Sequence, residues 1–362
     1  MTGFFKKTMV CAGLLLAVGC MKTEGGTRAL PVDSVAQEDT ASVDTVENLD
    51  TLDIFHEGEA VWALLQVPVA EAWRALAGGN GGDWLVLVGD RGAVLGYEGG
   101  QWSYMNLGTQ EHLRAVKAEG PDDFVVCGTE GALWRRKSSG PGQPSVWEDL
   151  SAAWFKKELL ALDGPSLEEL WVGGVEGTLL HVFSGLLLKV DPGVLGLTGA
   201  TLPDISGVLM VGGQPMILAG DRVLLQAGEK WNQEFKTSDG ELLVSIVQGP
   251  DGIWVGGGKG TVFAKRGSTW VSGPGPVYYS FDTLWADPLG SVFATGFHKG
   301  GDALVWFGDE TSLGTLTVVS PDYVPEEQRI STPFQITGLW GSSGENLFAC
   351  TDNGQVLHYA IH

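Results

Sequence analysis

Cysteine and basic residues are scarce in this chain, and each shortage removes a class of function. Four cysteines occur in 362 residues, with no C-x-x-C pair and no zinc-type spacing, so neither a redox pair nor a structural zinc site is expected. Lysine and arginine number 22 against 44 aspartates and glutamates, a formal net charge of −22. That balance argues against a nucleic-acid partner, whose phosphates the surface would repel, and against electrostatic attachment to anionic lipid. No G-x-S-x-G nucleophile motif and no phosphate-cradling glycine loop joins a strand to a helix. The six histidines are scattered. No cofactor and no metal are expected. The chain also lacks a long apolar span: the run at 8–19 (TMVCAGLLLAVG) is too short to cross a bilayer as a stable anchor.

That run follows Lys6 and Lys7, and it ends in Ala17, Val18 and Gly19 before Cys20. A basic start, a short apolar stretch and small residues are the pattern of an export signal. The last four residues resemble the bacterial lipobox. The resemblance implies that Cys20 is the lipidation site, joined to diacylglycerol and acylated (palmitate) after residues 1–19 are removed as a signal peptide. Several acyl chains anchor firmly, at about 0.8 kcal/mol for each buried CH₂. The family usually carries Leu where Ala17 stands, with Leu16 one place earlier. An ordinary secretory signal with a chance cysteine is the alternative. Met21 follows Cys20, which in such lipoproteins implies sorting to the outer membrane. Residues 20–58 are acidic, rich in Thr, Ser and Val and poor in aromatics. They read as a disordered tether, because they hold too little apolar surface to offset ordering.

From 59 to 362 the chain repeats itself. An apolar–apolar–small–Gly-x-x-Gly phrase has its anchor at Gly89, Gly128, Gly174, Gly220, Gly257 and Gly296, with Thr351 in the seventh copy. The steps average about 44 residues, the period of a four-stranded propeller blade. The residues before each anchor, such as Val86–Leu87 and Trp254–Val255, read as strands buried on both faces. The second glycine of the phrase suits a hairpin turn with positive φ; Val223 breaks it in copy four and GFHKGGD expands it in copy six. A third strand follows, and then a Trp that opens an outer strand at Trp102, Trp147, Trp231 and Trp270. Upstream, RALAG at 74, RAVKA at 114, LALDG at 160 and their counterparts carry a small middle residue, as an innermost strand crowded at an axis requires.

The seventh copy stops after its third strand. EAVWALLQV (59–67) stands before the first copy as a strand without a blade. The expectation is an all-β, seven-bladed propeller of four-stranded antiparallel blades, its ring closed by the N-terminal strand, so that no open edge is left. Six or eight blades are alternatives, since 178–205 and 297–335 are irregular, and 308–335 reads as a longer loop or insert. The phrase at 339–359, L-W-G-S-S-x-x-N-L-F-A-x-x-D-N-G-x-V-L-H-Y, resembles the repeats of exported WD40/YVTN-like and BNR-like propellers, photosystem II assembly-factor-like propellers among them. The resemblance implies fold and leaves function open. The sialidase Asp-box series and the Trp-Asp ending of WD40 repeats are both absent.

Candidate binding residues follow from the inner strands. Arg74, Arg114 and Asp282 occupy one equivalent position, and Lys117, Asp163, Trp285 and Trp340 lie further along the same strands; all are expected at a channel mouth. Structural salt bridging is the other reading of the charged ones. His181 and His358 share one place in the third strand and read as structural, while His298 beside Asp302 is a weaker candidate. Cys127 and Cys350 fill equivalent small positions with a blade between them, which fits two buried thiols and no disulfide. The reading is a monomeric, lipid-anchored envelope protein that binds or scaffolds an envelope protein or a glycan, attached to the membrane through its lipid alone. The alternative is an envelope glycan hydrolase or lyase with its site at the channel mouth.

Overall fold

The computed structural model describes residues 60–140, 144–260, 262–273, 279–298, 303–309, 312–317 and 334–361. The signal, Cys20 and the tether lie outside these residues. No helix among the described residues is long and apolar enough to cross a membrane.

The chain is an all-β propeller of four-stranded antiparallel blades. The described strands pair into seven such sheets, numbered here in chain order by their innermost strands: Trp73–Gly79, Leu113–Gly120, Leu159–Ser166, Ile205–Val211, Leu243–Gly249, Tyr279–Ala286 and Ile336–Ser343. In sheets one to six the four strands follow one another in the chain. In sheet seven the outermost strand is Ala60–Leu65, which pairs antiparallel with Val356–Ile361, Ala60 opposite Ile361 and Leu65 opposite Val356.

Stacking explains the doubly apolar second strands. Leu85 and Leu87 pack with Phe348 and Cys350 of sheet seven, whereas Val86 and Val88 pack with Phe124 and Val126 of sheet two. Successive side chains of a strand point to opposite faces, so a strand sandwiched between two sheets must be apolar at every position. Cys127 and Cys350 are buried free thiols in these layers. Burial raises both thiol pKa values, that of Cys350 to about 12. Thiol reagents should therefore leave both unmodified in the native protein and label both in denaturant; fast native labelling, followed by mass spectrometry of the two peptides, would contradict this packing.

The repeated glycines play two roles. The second glycine of the phrase has positive φ at Gly92, Gly131, Gly177, Gly260 and Gly354, and Arg91, Glu130, Glu176 and Lys259 before the first four share it. Two consecutive left-handed residues make a type I′ turn, whose twist matches the flanking strands. Sheet four shortens this connection, so that Ala219 pairs with Arg222 and Gly220 itself takes φ +62.

The anchor glycine is extended at Gly89 and Gly128, and space is what it supplies. A Cβ on Gly128 would lie 2.0 Å from the His112 carbonyl oxygen, on Gly257 2.1 Å from that of Leu242, and on Gly174 2.4 Å from that of Glu158. The next residue's N–H donates to the same carbonyl, as Thr129 does to His112 at 2.9 Å and Gly258 to Leu242 at 3.0 Å.

Sequence and structure differ in sheet six. Ser312–Thr317 is its outer strand, inside the stretch read above as a loop or insert. It carries no Trp after its turn, so the signal that marks four of the other outer strands is missing. Residues 318–333 lie outside the described ones.

Candidate functional site

Each innermost strand begins with the same irregularity. The pairing register slips at Arg74, Arg114, Leu160, Ser206, Val244, Asp282 and Thr337. One extra residue in a strand is a β-bulge, which bends the strand and re-aims a side chain. Here it brings those residues of all seven sheets to a single cavity of about 640 Å³. The next position is small because neighbouring sheets close on it. A Cβ on Gly207 would meet Ile246 at 2.9 Å, and one on Gly338 would meet Leu76 at the same distance.

Polar bulge residues also tie one sheet to the next. Arg74 holds Asp90 in a two-pronged pair, Nε to Oδ1 at 2.9 Å and Nη2 to Oδ2 at 2.8 Å. Asp90 Oδ1 lies 3.2 Å from His112 Nδ1 in sheet two. The hydrogen bond from Arg74 is the main reason the Asp90 carboxyl titrates below its usual range, and the same bond raises the Arg74 guanidinium. Arg114 Nε donates to Glu158 of sheet three at 2.6 Å. Ser206 Oγ donates to the Leu243 carbonyl at 2.8 Å, and Thr337 Oγ1 to that of Trp73 at 2.7 Å. The Gln335 amide donates to Asp282.

The candidates thus divide. Arg74, Arg114 and Asp282 line the cavity, whereas Lys117, Asp163, Trp285 and Trp340 do not. The latter four occupy one further layer, and each reaches the following sheet. Lys117 Nζ donates to Asp163 at 2.6 Å, and Asp163 Oδ2 accepts the Met210 N–H at 2.7 Å. Trp285 closes over Gly341, and Trp340 over Gly78, where an added Cβ would come within 3.0 and 2.9 Å of the respective rings. Three residues beyond the bulge, a side chain faces the neighbouring sheet, which is why a position shared in sequence is a seam here and not a mouth. His181 and His358 stack on the second-strand aromatics Trp171 and Phe348, with ring centroids 4.0 and 4.2 Å apart. The backbone of His298 pairs with that of Tyr279; Asp302 lies outside the described residues.

Glu158 and Gln335, two residues before the bulge, line the cavity too and were missed in the sequence. The available signal was the polar character of that place, where His112, Asp204 and Ser280 also stand.

Asp282 differs from the other charged lining residues. It has no cation within ion-pair distance among the described residues, and its hydrogen-bond partner is the neutral Gln335. Burial raises its pKa, against the smaller lowering effect of the Gln335 bond. An acid whose folded pKa is raised is disfavoured as the anion in the folded state. Its cost is absent below the unfolded value of about 3.9 and accrues as pH rises through the folded one. Asp282→Asn, which keeps an acceptor for Gln335, should therefore raise the melting temperature at pH 7 and leave it unchanged near pH 3. A lower melting temperature at neutral pH would show that the charge stabilises the fold. Among the described residues no group of three or more His, Cys, Asp or Glu is placed to hold a metal.

Solved structures share this architecture. YCF48 bound to D1 peptide matches with a TM-score of 0.60 at 14% identity, over 83% of this chain and 97% of that one. YCF48 from Cyanidioschyzon merolae matches with a TM-score of 0.61 at 16% identity, over 83% and 99%. The extracellular domain of BT4673 from B. thetaiotaomicron matches with a TM-score of 0.58 at 14% identity; the alignment takes in 83% of this chain and 39% of that longer one. At such identities the likeness is one of fold. No family model and no curated protein matches the chain.

Proposed function

We propose that this chain is a lipid-anchored protein of the cell envelope whose propeller docks a protein partner at the end of its channel where the bulge residues gather. One observation carries the docking reading: a cavity fed by all seven inner strands, in which Arg74 and Arg114 are already neutralised by Asp90 and Glu158. Charges held this way shape a rigid, polar recognition surface. They are not the converging, unpaired acids and arginines that a hydrolase or lyase site requires. A structural neighbour of the same fold is YCF48 bound to a D1 peptide, and peptide docking is transferred here as part of the proposal. A glycan at this end is the second ligand class, and nothing in the cavity favours it over a protein.

We further propose a ring of seven blades, closed by Ala60–Leu65 as the outer strand of the last. The support is the pairing of that strand with Val356–Ile361, together with bonds between sheets seven and one, from Thr337 to Trp73 and from Asn346 Nδ2 to Gly81 O at 2.7 Å. The membrane attachment rests on the lipobox-like residues before Cys20. Cys20→Ala should move the protein from the detergent-phase membrane fraction to the soluble fraction; retention in the membrane fraction would remove the anchor. A crosslinking pull-down from the native cells, with the Cys20→Ala form as control, tests the docking role. One envelope protein in near-stoichiometric yield supports it, and an empty result contradicts it.

A further inference from the structure

Building on the docking role just proposed, the partner's chemistry can be read from the charges at the channel end. Arg74 is offset by Asp90 and Arg114 by Glu158. The Asp282 carboxylate is left over, facing the cavity beside the neutral Gln335 amide. Leu160 and Val244 line the same cavity at the equivalent places of sheets three and five, and apolar walls of this kind suit the methylene stem of a long basic side chain.

The approach to the cavity is also marked. In an antiparallel four-stranded sheet, the segment that enters the innermost strand lies at the same end as the start of that strand. Three of these segments present apolar side chains to solvent: Trp154 at 62% exposure, Val194 at 54% and Leu242 at 62%. Their neighbours Phe155 and Leu195 are buried, so the segments are held down while these side chains face outward. The net charge of −22 would steer cations toward the protein and oppose docking of a second copy.

We propose that this end binds an extended polypeptide segment by taking one of its lysine or arginine side chains into the channel against Asp282, with apolar neighbours of that residue lying over Trp154, Val194 and Leu242. The test is selection from a display library of linear dodecapeptides on the purified protein, followed by fluorescence anisotropy of an enriched peptide. Enrichment of basic residues flanked by apolar ones is expected. Affinity should fall about tenfold or more in Asp282→Asn, persist at least in part in Asp282→Glu, and stay unchanged in Glu229→Gln, an exposed turn residue at the opposite end of its sheet. That last control separates a site from attraction by overall charge. Enrichment of acidic or neutral peptides, or basic peptides bound equally by Asp282→Asn, would overturn the inference and leave peptide docking standing. No enrichment of any kind would remove peptide docking as well.

Discussion

Deleting residues 60–65 should leave a domain that unfolds more easily and associates. Trp62 and Leu64 pack partly buried against the core that holds Ile336, Leu339 and Leu347, and Leu65 packs against the neighbouring core that holds Phe348 and Val356. A fully buried large apolar side chain contributes roughly 1.5–3 kcal/mol, so three partly buried ones contribute on the order of 3–5 kcal/mol together. That is a large part of the stability of an ordinary domain, about 5–15 kcal/mol. The deletion also strips Val356–Ile361 of its partner and leaves an unpaired edge, a template for pairing with other chains. Urea denaturation and light scattering would follow both effects. An unchanged midpoint and a monodisperse sample would mean that the strand is dispensable and the closure proposed here is incorrect.

Gly128→Ala is the second large effect, and it comes from a single methyl group. The added Cβ would sit 2.0 Å from the His112 carbonyl oxygen and 2.9 Å from the Leu113 Cα. Both are backbone atoms, so no side chain can swing away. The strand has to separate or the Thr129–His112 hydrogen bond has to break, at a cost of roughly 3–5 kcal/mol. The disturbance reaches the channel, because His112 stands against Asp90 and through it Arg74. Gly258→Ala is the matched control. Nothing lies within 4 Å of its Cβ position, so the change should be neutral or slightly stabilising. Equal melting temperatures for the two variants would refute the steric role given to the anchor glycine.

The fold was legible because one physical demand recurs in every repeat. A strand between two sheets must be apolar on both faces, and a tight hairpin needs left-handed residues; both leave marks in sequence at a fixed spacing. The unpartnered run at 59–67 was legible for the same reason, as a strand in search of an edge. Sheet six was harder to read, since its outer strand Ser312–Thr317 lacks the Trp that four counterparts carry.

The site was legible in part. The repeat alignment placed Arg74, Arg114 and Asp282 at one level, and the bulge that turns them into the cavity lies at that position in every inner strand. Alignment alone does not give the direction of a side chain. Lys117, Asp163, Trp285 and Trp340 share a level as well, yet they face the next sheet. Partners such as Asp90 and Glu158 were hidden because they come from a hairpin turn and from a connecting segment, which meet the arginines only in three dimensions.

A partner docked on the propeller leaves its position in the crosslinks it forms. Zero-length carboxyl–amine crosslinking in the native cells, followed by mass spectrometry of the joined peptides, reports which face the partner covers. Docking at the channel end should join partner lysines to carboxylates there, Asp282 and those of the segments that carry Trp154, Val194 and Leu242 among them. Crosslinks confined to the outer strands, such as Val146–Asp149 or Lys230–Lys236, would contradict it and move the interface to the rim.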